Sequence, residues 1–247
     1  MPTYKLTIEY EGTRYSGWQA QGNTPKTIQG RLIRVASEVF GEADIGGAGR
    51  TDAGVHALAQ VAALTMENPI PVLNLQRAAN RLLPHDIRVT KVEEAPLDFH
   101  PRFQAKAKTY EYRIFRGEIC APFERRYVYH HPYRLALDEM TRLAPLIEGE
   151  HDFTAFAAAD DRDALGASKV RTIFCSKLTE EDERLIYRVT GSGFLKHMVR
   201  NIVGVLLEIG KGNVDRAALL ERLQPGCAIP AGPTVPARGL FLISVKY

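Results

Sequence analysis

The sequence predicts an α+β fold of two similar lobes that share a sheet. Two observations carry this. Segments that alternate apolar and polar residues are interleaved with segments whose apolar residues recur every three to four positions. The order strand, helix, strand then appears in the first half of the chain and again in the second. At 247 residues there is length for one large domain or two small ones. Folding at this size buries roughly three-quarters of the unfolded surface, so the core needs no disulfide or metal.

In the first half, Tyr4, Leu6, Ile8 and Tyr10 alternate with Lys5, Thr7 and Glu9, the period of a strand. A glycine-containing turn follows. Ile28, Leu32, Val35, Ala36, Val39 and Phe40 then mark a helix, with Thr27 as its N-cap and Gly41 as its stop. Residues 57–66 read as a strand. A helix near 72–83 carries Leu75, Ala78, Ala79 and Leu82 on one stripe and ends at Pro84, and a strand spans Ile87–Val92. The second lobe begins near residue 106, after a first lobe of residues 1–105. Lys108–Phe115 alternates, placing Tyr110, Tyr112 and Ile114 on one face. Met140, Leu143, Ala144 and Ile147 mark a helix near 138–148, in which Pro145 predicts a kink or an early end. Strands near 169–178 and 184–191 lead to the most apolar helix, with Met198, Ile202, Val205, Leu206 and Ile209 in its stripe and Gly210 and Gly212 as its stop. A short helix at 215–223 and a strand at Leu240–Val245 close the chain, and residues 157–168 read as a surface loop.

Composition narrows the class. Apolar content of 45% and charged content of 25% are those of a globular protein. No apolar run reaches the roughly 18 residues of a membrane span, and the N-terminus has no signal-peptide core. Cys120, Cys175 and Cys227 are distant and odd in number, and no CxxC or HExxH pair is present, so a reducing cytoplasm without zinc is expected. The net charge is only +3, but Arg102, Lys106, Lys108, Arg113, Arg116, Arg125 and Arg126 alternate with Phe103, Tyr110, Tyr112 and Phe115. Cations for phosphates and rings for unstacked bases are what an RNA surface needs. A solvated strand with half its rings in the core has the same pattern.

The most unusual segment is Gly46-Gly47-Ala48-Gly49-Arg50-Thr51-Asp52-Ala53-Gly54-Val55-His56-Ala57. A P-loop needs Gly-Lys-Ser/Thr where Gly49-Arg50-Thr51 stands, and a dinucleotide fingerprint needs a glycine at Asp52; both fail. What remains is an arginine and a carboxylate two residues apart in a loop between strands. Asp52 is either a turn aspartate bonded to its own backbone or a catalytic group. His56 reads as a packed histidine and receives no role. In Phe194–Asn201, taken as the opening of the strong helix, Lys196 and Arg200 stand four apart and share a face. That face is solvated, or Arg200 points into a cleft and pairs with a carboxylate.

Several segments together resemble the tRNA pseudouridine synthase A (TruA) family. Tyr10-Glu11-Gly12-Thr13-Arg14-Tyr15-Ser16-Gly17-Trp18-Gln19 resembles its N-terminal signature, and Gly49–His56, GRTDAGVH, its catalytic motif. Phe99–Phe103 with Lys108–Tyr112, His151–Thr154, Phe194–Gly204 and Gly239-Leu240 follow in the family's order, so the resemblance covers essentially the whole chain. It implies the pseudouridine synthase fold: two lobes, a mostly antiparallel sheet flanked by helices, and a central active-site cleft. It also implies isomerisation of uridine to pseudouridine in the tRNA anticodon stem-loop, at tRNA positions 38–40. By resemblance Asp52 is the catalytic aspartate, Arg50 helps to extract the base, Tyr110 packs on the uracil and Arg200 pairs with the aspartate. The first lobe then carries the aspartate, and the second the tyrosine and Arg200. The family works as a homodimer without cofactor or metal, with neither membrane nor DNA as partner. A non-catalytic tRNA-binding or tRNA-folding protein on the same fold is the alternative, and the intact Asp52, Tyr110 and Arg200 argue against it.

Overall fold

The structure, a computed structural model, describes residues 1–247 except 42, 161, 162, 164, 165 and 228, and the side chain of residue 40. It forms two compact units, residues 1–106 with 241–247, and residues 107–240. Both are built of mostly antiparallel strands with helices, the expected α+β class.

In the first unit, β1 (Thr3–Tyr10) buries Tyr4, Leu6, Ile8 and Tyr10, as its alternation requires. It pairs antiparallel with β3 (His56–Met66) on one side and β4 (Ile87–Ala95) on the other. β2 (Ala43–Gly47) pairs antiparallel with β3, and β10 (Leu240–Lys246) runs parallel to its start, with Phe241 opposite His56. In α1 (Ile28–Phe40) the Thr27 hydroxyl accepts the Gly30 N–H at 3.2 Å, and Gly41 ends the helix at φ +80°. α2 (Val72–Leu82) stops where Leu83, the residue before Pro84, turns extended. Leu32, Val35 and Ala36 of α1 and Leu75 and Ala79 of α2 meet Leu6, Ile45, Leu64, Val89 and Val92 of the strands. Two expected stripe residues differ. Val39 and Leu82 are exposed, and Leu83, just past the end of α2, takes the buried place.

In the second unit β5 (Ala107–Phe115), β9 (Arg184–Gly191), β8 (Val170–Glu181) and β7 (Gly149–Asp152) lie side by side and antiparallel. β6 (Tyr129–His130) runs parallel to the end of β5. α3 (Leu137–Leu143) ends early and tightens into a 3-10 turn over Ala144–Ile147, because Pro145 cannot donate to the α ladder. α5 (Arg216–Arg222) is capped by Asp215, whose carboxylate accepts the Ala218 N–H at 2.8 Å. Of the expected 157–168 loop, residues 161, 162, 164 and 165 lie outside the described residues.

The long helix α4 (Met198–Gly210) corrects the sequence reading in three ways. It begins at Met198, after His197 at φ +60°, so Lys196 precedes it and shares no helix face with Arg200. The Lys196 ammonium donates instead to the Ala159 carbonyl at 3.0 Å. The helix is also buried beyond one stripe: Val199 and Val203 are as enclosed as Ile202 and Leu206, and a Cβ on Gly204 would meet the Pro233 carbonyl oxygen at 2.0 Å. Finally, Gly210 belongs to the helix, where a Cβ would stand 2.5 Å from the Met140 sulfur; Gly212, at φ +81°, is the stop.

Candidate active site

The glycine-rich segment is only partly a loop. Gly46 and Gly47 belong to β2, and the loop proper runs over residues 48–55 into β3. Its floor is the N-terminal turn. Gly12 approaches so closely that a Cβ there would stand 1.9 Å from the Val55 carbonyl oxygen. Gly17, at φ +95°, would bring a Cβ to 2.6 Å from the Thr51 carbonyl oxygen. Main-chain bonds follow the same seam: Trp18 N–H donates to the Thr51 carbonyl at 3.0 Å, and Gly54 N–H to the Tyr15 carbonyl at 3.3 Å. Val55 N–H donates to the Asp52 carbonyl at 3.2 Å across a tight turn, and Gly54 takes the positive φ of +79° that the turn requires.

Asp52 is half-buried on this turn and Arg50 is exposed, and one loop carries both. His56 is buried at the loop's exit, stacked on Phe241 with centroids 4.7 Å apart. Its Nδ1 accepts the Gly12 N–H at 3.1 Å, and the Glu11 carboxylate approaches the same atom at 3.8 Å. His56 is the packed histidine the sequence suggested.

In the second unit Tyr110 lies on β5, nearly buried, with Phe194 edge-on to its ring at 5.0 Å. Tyr112, on the same face, is core: its hydroxyl donates to the Pro236 carbonyl at 2.7 Å, and burial pushes its phenol up. Phe115 is buried too, so of the basic and aromatic run Phe103 alone presents a largely exposed ring. Arg200, in the first turn of α4, is half-buried and donates through Nε to the Val235 carbonyl at 2.8 Å. Beside it, Asn201 donates to the Phe156 carbonyl and accepts the Thr234 hydroxyl, which ties the segment before β10 to the helix. Among the described residues no group of three or more His, Cys, Asp or Glu side chains is placed to hold a metal ion.

A family model described as tRNA pseudouridine synthase matches residues 6–104 and 143–247. Over its whole length the chain is 57% identical to the whole of tRNA pseudouridine synthase A of Solibacter usitatus. The chain belongs to the tRNA pseudouridine synthase A family. Full-length relatives include tRNA pseudouridine synthase A 2 of Bacillus cereus, 41% identical, and tRNA pseudouridine synthase A of Acetivibrio thermocellus, 40% identical. Among solved structures, a chain of a Cbf5–Nop10–Gar1 complex aligns at 15% identity and a TM-score of 0.33, over 83% of this chain and 45% of that one, a likeness too low to argue from.

As a pseudouridine synthase the chain is an isomerase, and one segment of its family signature packs into the core. In His151–Thr154, Asp152 accepts from Thr154 N–H at 2.8 Å and from the Thr154 hydroxyl at 2.6 Å, which sets Phe153 and Phe156 into the core. Glu111, which the sequence did not single out, is buried on β5 beneath Arg113 and Arg188. Burial alone raises its carboxyl, but hydrogen bonds from Arg188 and Arg113 outweigh it and hold the group below the usual range. A lowered carboxylate stabilises the fold above its unfolded pKa and loses that contribution as pH falls through the folded value. Glu111→Gln in this synthase is therefore expected to cost about 1–2 kcal/mol at neutral pH, both arginines being partly solvated. The gap from wild type should close below about pH 4, in urea melts taken across the acid range.

Proposed function

We propose that the chain isomerises uridines of the tRNA anticodon stem-loop with Asp52 as the catalytic carboxylate, Arg50 and Tyr110 acting on the base and Arg200 on the aspartate. The observation that carries this reading is a half-buried carboxylate on a loop whose backbone is tied to the N-terminal turn on both sides of it. In the reaction the N1–C1′ bond of uridine breaks, the uracil turns and a C5–C1′ bond forms. The C5 proton leaves and N1 gains one, so the product is an isomer and no oxidant or water is consumed. A carboxylate acts there only while ionised, and Arg200 is the cation that the family resemblance sets against it. Drawing the nucleotide from its stack costs a few kcal/mol, which the exposed Arg50 and the Tyr110 ring offset.

Arg200→Ala is expected to lower kcat on the order of 10²-fold through the unsupported carboxylate. It should also cost about 1–2 kcal/mol through the lost Val235 bond. Single-turnover assays and thermal melts check both, and full activity in the variant would remove Arg200 from the site. The substrate position is tested by carbodiimide-dependent primer-extension stops on unmodified tRNA treated with the protein. New stops confined to the anticodon arm are expected, and stops elsewhere would refute the assignment.

A homodimer is part of the same reading. It fits a second unit that exposes Ile119, Phe123 and Tyr133, and sedimentation velocity tests it. The three cysteines are unbridged, which fits the reducing cytoplasm where tRNA is modified. Among the described residues no helix is long and apolar enough to cross a membrane.

A further inference from the structure

Three buried polar side chains underlie the Asp52 loop. Tyr10 of β1, Thr51 of the loop and Gln60 of β3 are 3%, 6% and 0% exposed. A buried hydroxyl or amide without a partner costs about 1–3 kcal/mol, so such a group is held in a core only where something satisfies it. Here they satisfy one another and the loop. The Tyr10 and Thr51 hydroxyls are 2.8 Å apart, Gln60 Nε2 donates to the Gly49 carbonyl at 2.9 Å, and Gln60 Oε1 accepts the Val61 N–H at 3.2 Å. Burial pushes the Tyr10 phenol up, against the lowering effect of the Thr51 and Gln60 hydrogen bonds, so it stays protonated and able to donate.

We propose that Tyr10, Thr51 and Gln60 are positioning residues that set the direction of the Asp52 carboxylate. The inference rests on the reading of Asp52 as the catalytic group. The main-chain bonds of Thr51 and Asp52 fix where the turn lies. They leave rotation about the Thr51 backbone, and that rotation swings the next side chain. The Tyr10–Thr51 bond holds Thr51 inward, and Gln60 holds the carbonyl of Gly49, two residues before it. With this neighbour locked into the core, the backbone fixes where the Asp52 side chain leaves the loop. A displacement of about 1 Å at a reacting group costs on the order of 10²-fold in rate, far more than one lost hydrogen bond costs in stability.

The test compares Thr51→Val, which keeps the shape and deletes the hydroxyl, with Thr51→Ser, Tyr10→Phe, the Thr51→Val/Tyr10→Phe double variant and Asp52→Asn. Steady-state kcat and KM on unmodified tRNA and thermal melts are measured for each. Thr51→Val and Tyr10→Phe are each expected to lower kcat about 10- to 100-fold, with KM within about threefold of wild type and a cooperative melt. The double variant should be no worse than Tyr10→Phe alone, since the Tyr10–Thr51 bond that Thr51→Val deletes is already absent there. Thr51→Ser should restore roughly half or more of the wild-type kcat. A merely structural role would lower the melt and leave kcat per folded molecule unchanged, and that result overturns the inference. If Thr51→Val fails to fold, Tyr10→Phe decides: a folded Tyr10→Phe protein with wild-type kcat also overturns it. Asp52→Asn separates the two ideas. Wild-type turnover in that variant defeats the catalytic reading itself, whereas an inactive Asp52→Asn beside a fully active Thr51→Val defeats the positioning role alone.

Discussion

Asp52→Ala is expected to lower turnover of tRNA uridine by at least about 10³-fold while the protein stays folded and binds tRNA as wild type does. The loss follows from removing the carboxylate proposed to engage the nucleotide. The retention follows from how the loop is held. Among its ties are the Trp18 N–H to the Thr51 carbonyl, the Gly54 N–H to the Tyr15 carbonyl, the Val55 N–H to the Asp52 carbonyl and the Gln60 amide to the Gly49 carbonyl. All four are accepted by main-chain oxygens and so survive removal of the Asp52 side chain. Filter binding, circular dichroism and single-turnover assays on one preparation check the three parts. Loss of affinity together with activity would make Asp52 a structural residue.

The second large effect is expected at Gly12, far from the aspartate in sequence. A methyl group there would stand 1.9 Å from the Val55 carbonyl oxygen, 2.6 Å from its carbon and 3.2 Å from its nitrogen. All three are backbone atoms of the Asp52 loop, so the clash cannot be relieved by turning a side chain. Either the N-terminal turn or the loop must move, and the Gly12 N–H bond to His56 breaks with it. Gly12→Ala is thus expected to cost about 3 kcal/mol and to reduce kcat in whatever fraction folds. Gly22, with nothing within 4 Å of its Cβ position, is the control: Gly22→Ala should change stability by no more than about 0.5 kcal/mol. Equal melts for the two variants would show that the close approach at Gly12 does not exist.

Much of the scaffold is legible in the sequence where one element makes its own pattern. β1 alternates because one face of it is buried, α1 has Thr27 and Gly41 at its ends, and α3 stops because Pro145 cannot donate. Elements completed by a distant residue are not legible. β2 reads Ala-Asp-Ile-Gly-Gly, without alternation, because the Trp18 ring covers it: a Cβ on Gly47 would stand 2.4 Å from Trp18 Nε1. β6 and β7 are short and polar and carry no period at all. In α4 the stripe marks the helix, but burial beyond that stripe hides where it starts, so the spacing puts Lys196 on a face that does not exist. The site divides in the same way. Asp52 and Arg50 stand out through the density of small residues around them, and their roles follow from resemblance. Tyr10 passes for an apolar residue of β1, and Gln60 for an ordinary polar position in a strand that is in fact buried on both faces. Only the fold brings their polar atoms beneath the loop.

The most direct test is tritium release from unmodified tRNA labelled at uracil C5, with wild type and Asp52→Ala side by side. Forming the C5–C1′ bond expels that hydrogen, so the signal reports isomerisation and ignores binding. Release by wild type and none by the variant is the predicted result. Binding of the tRNA by wild type without release, or equal release by both proteins, would contradict the account.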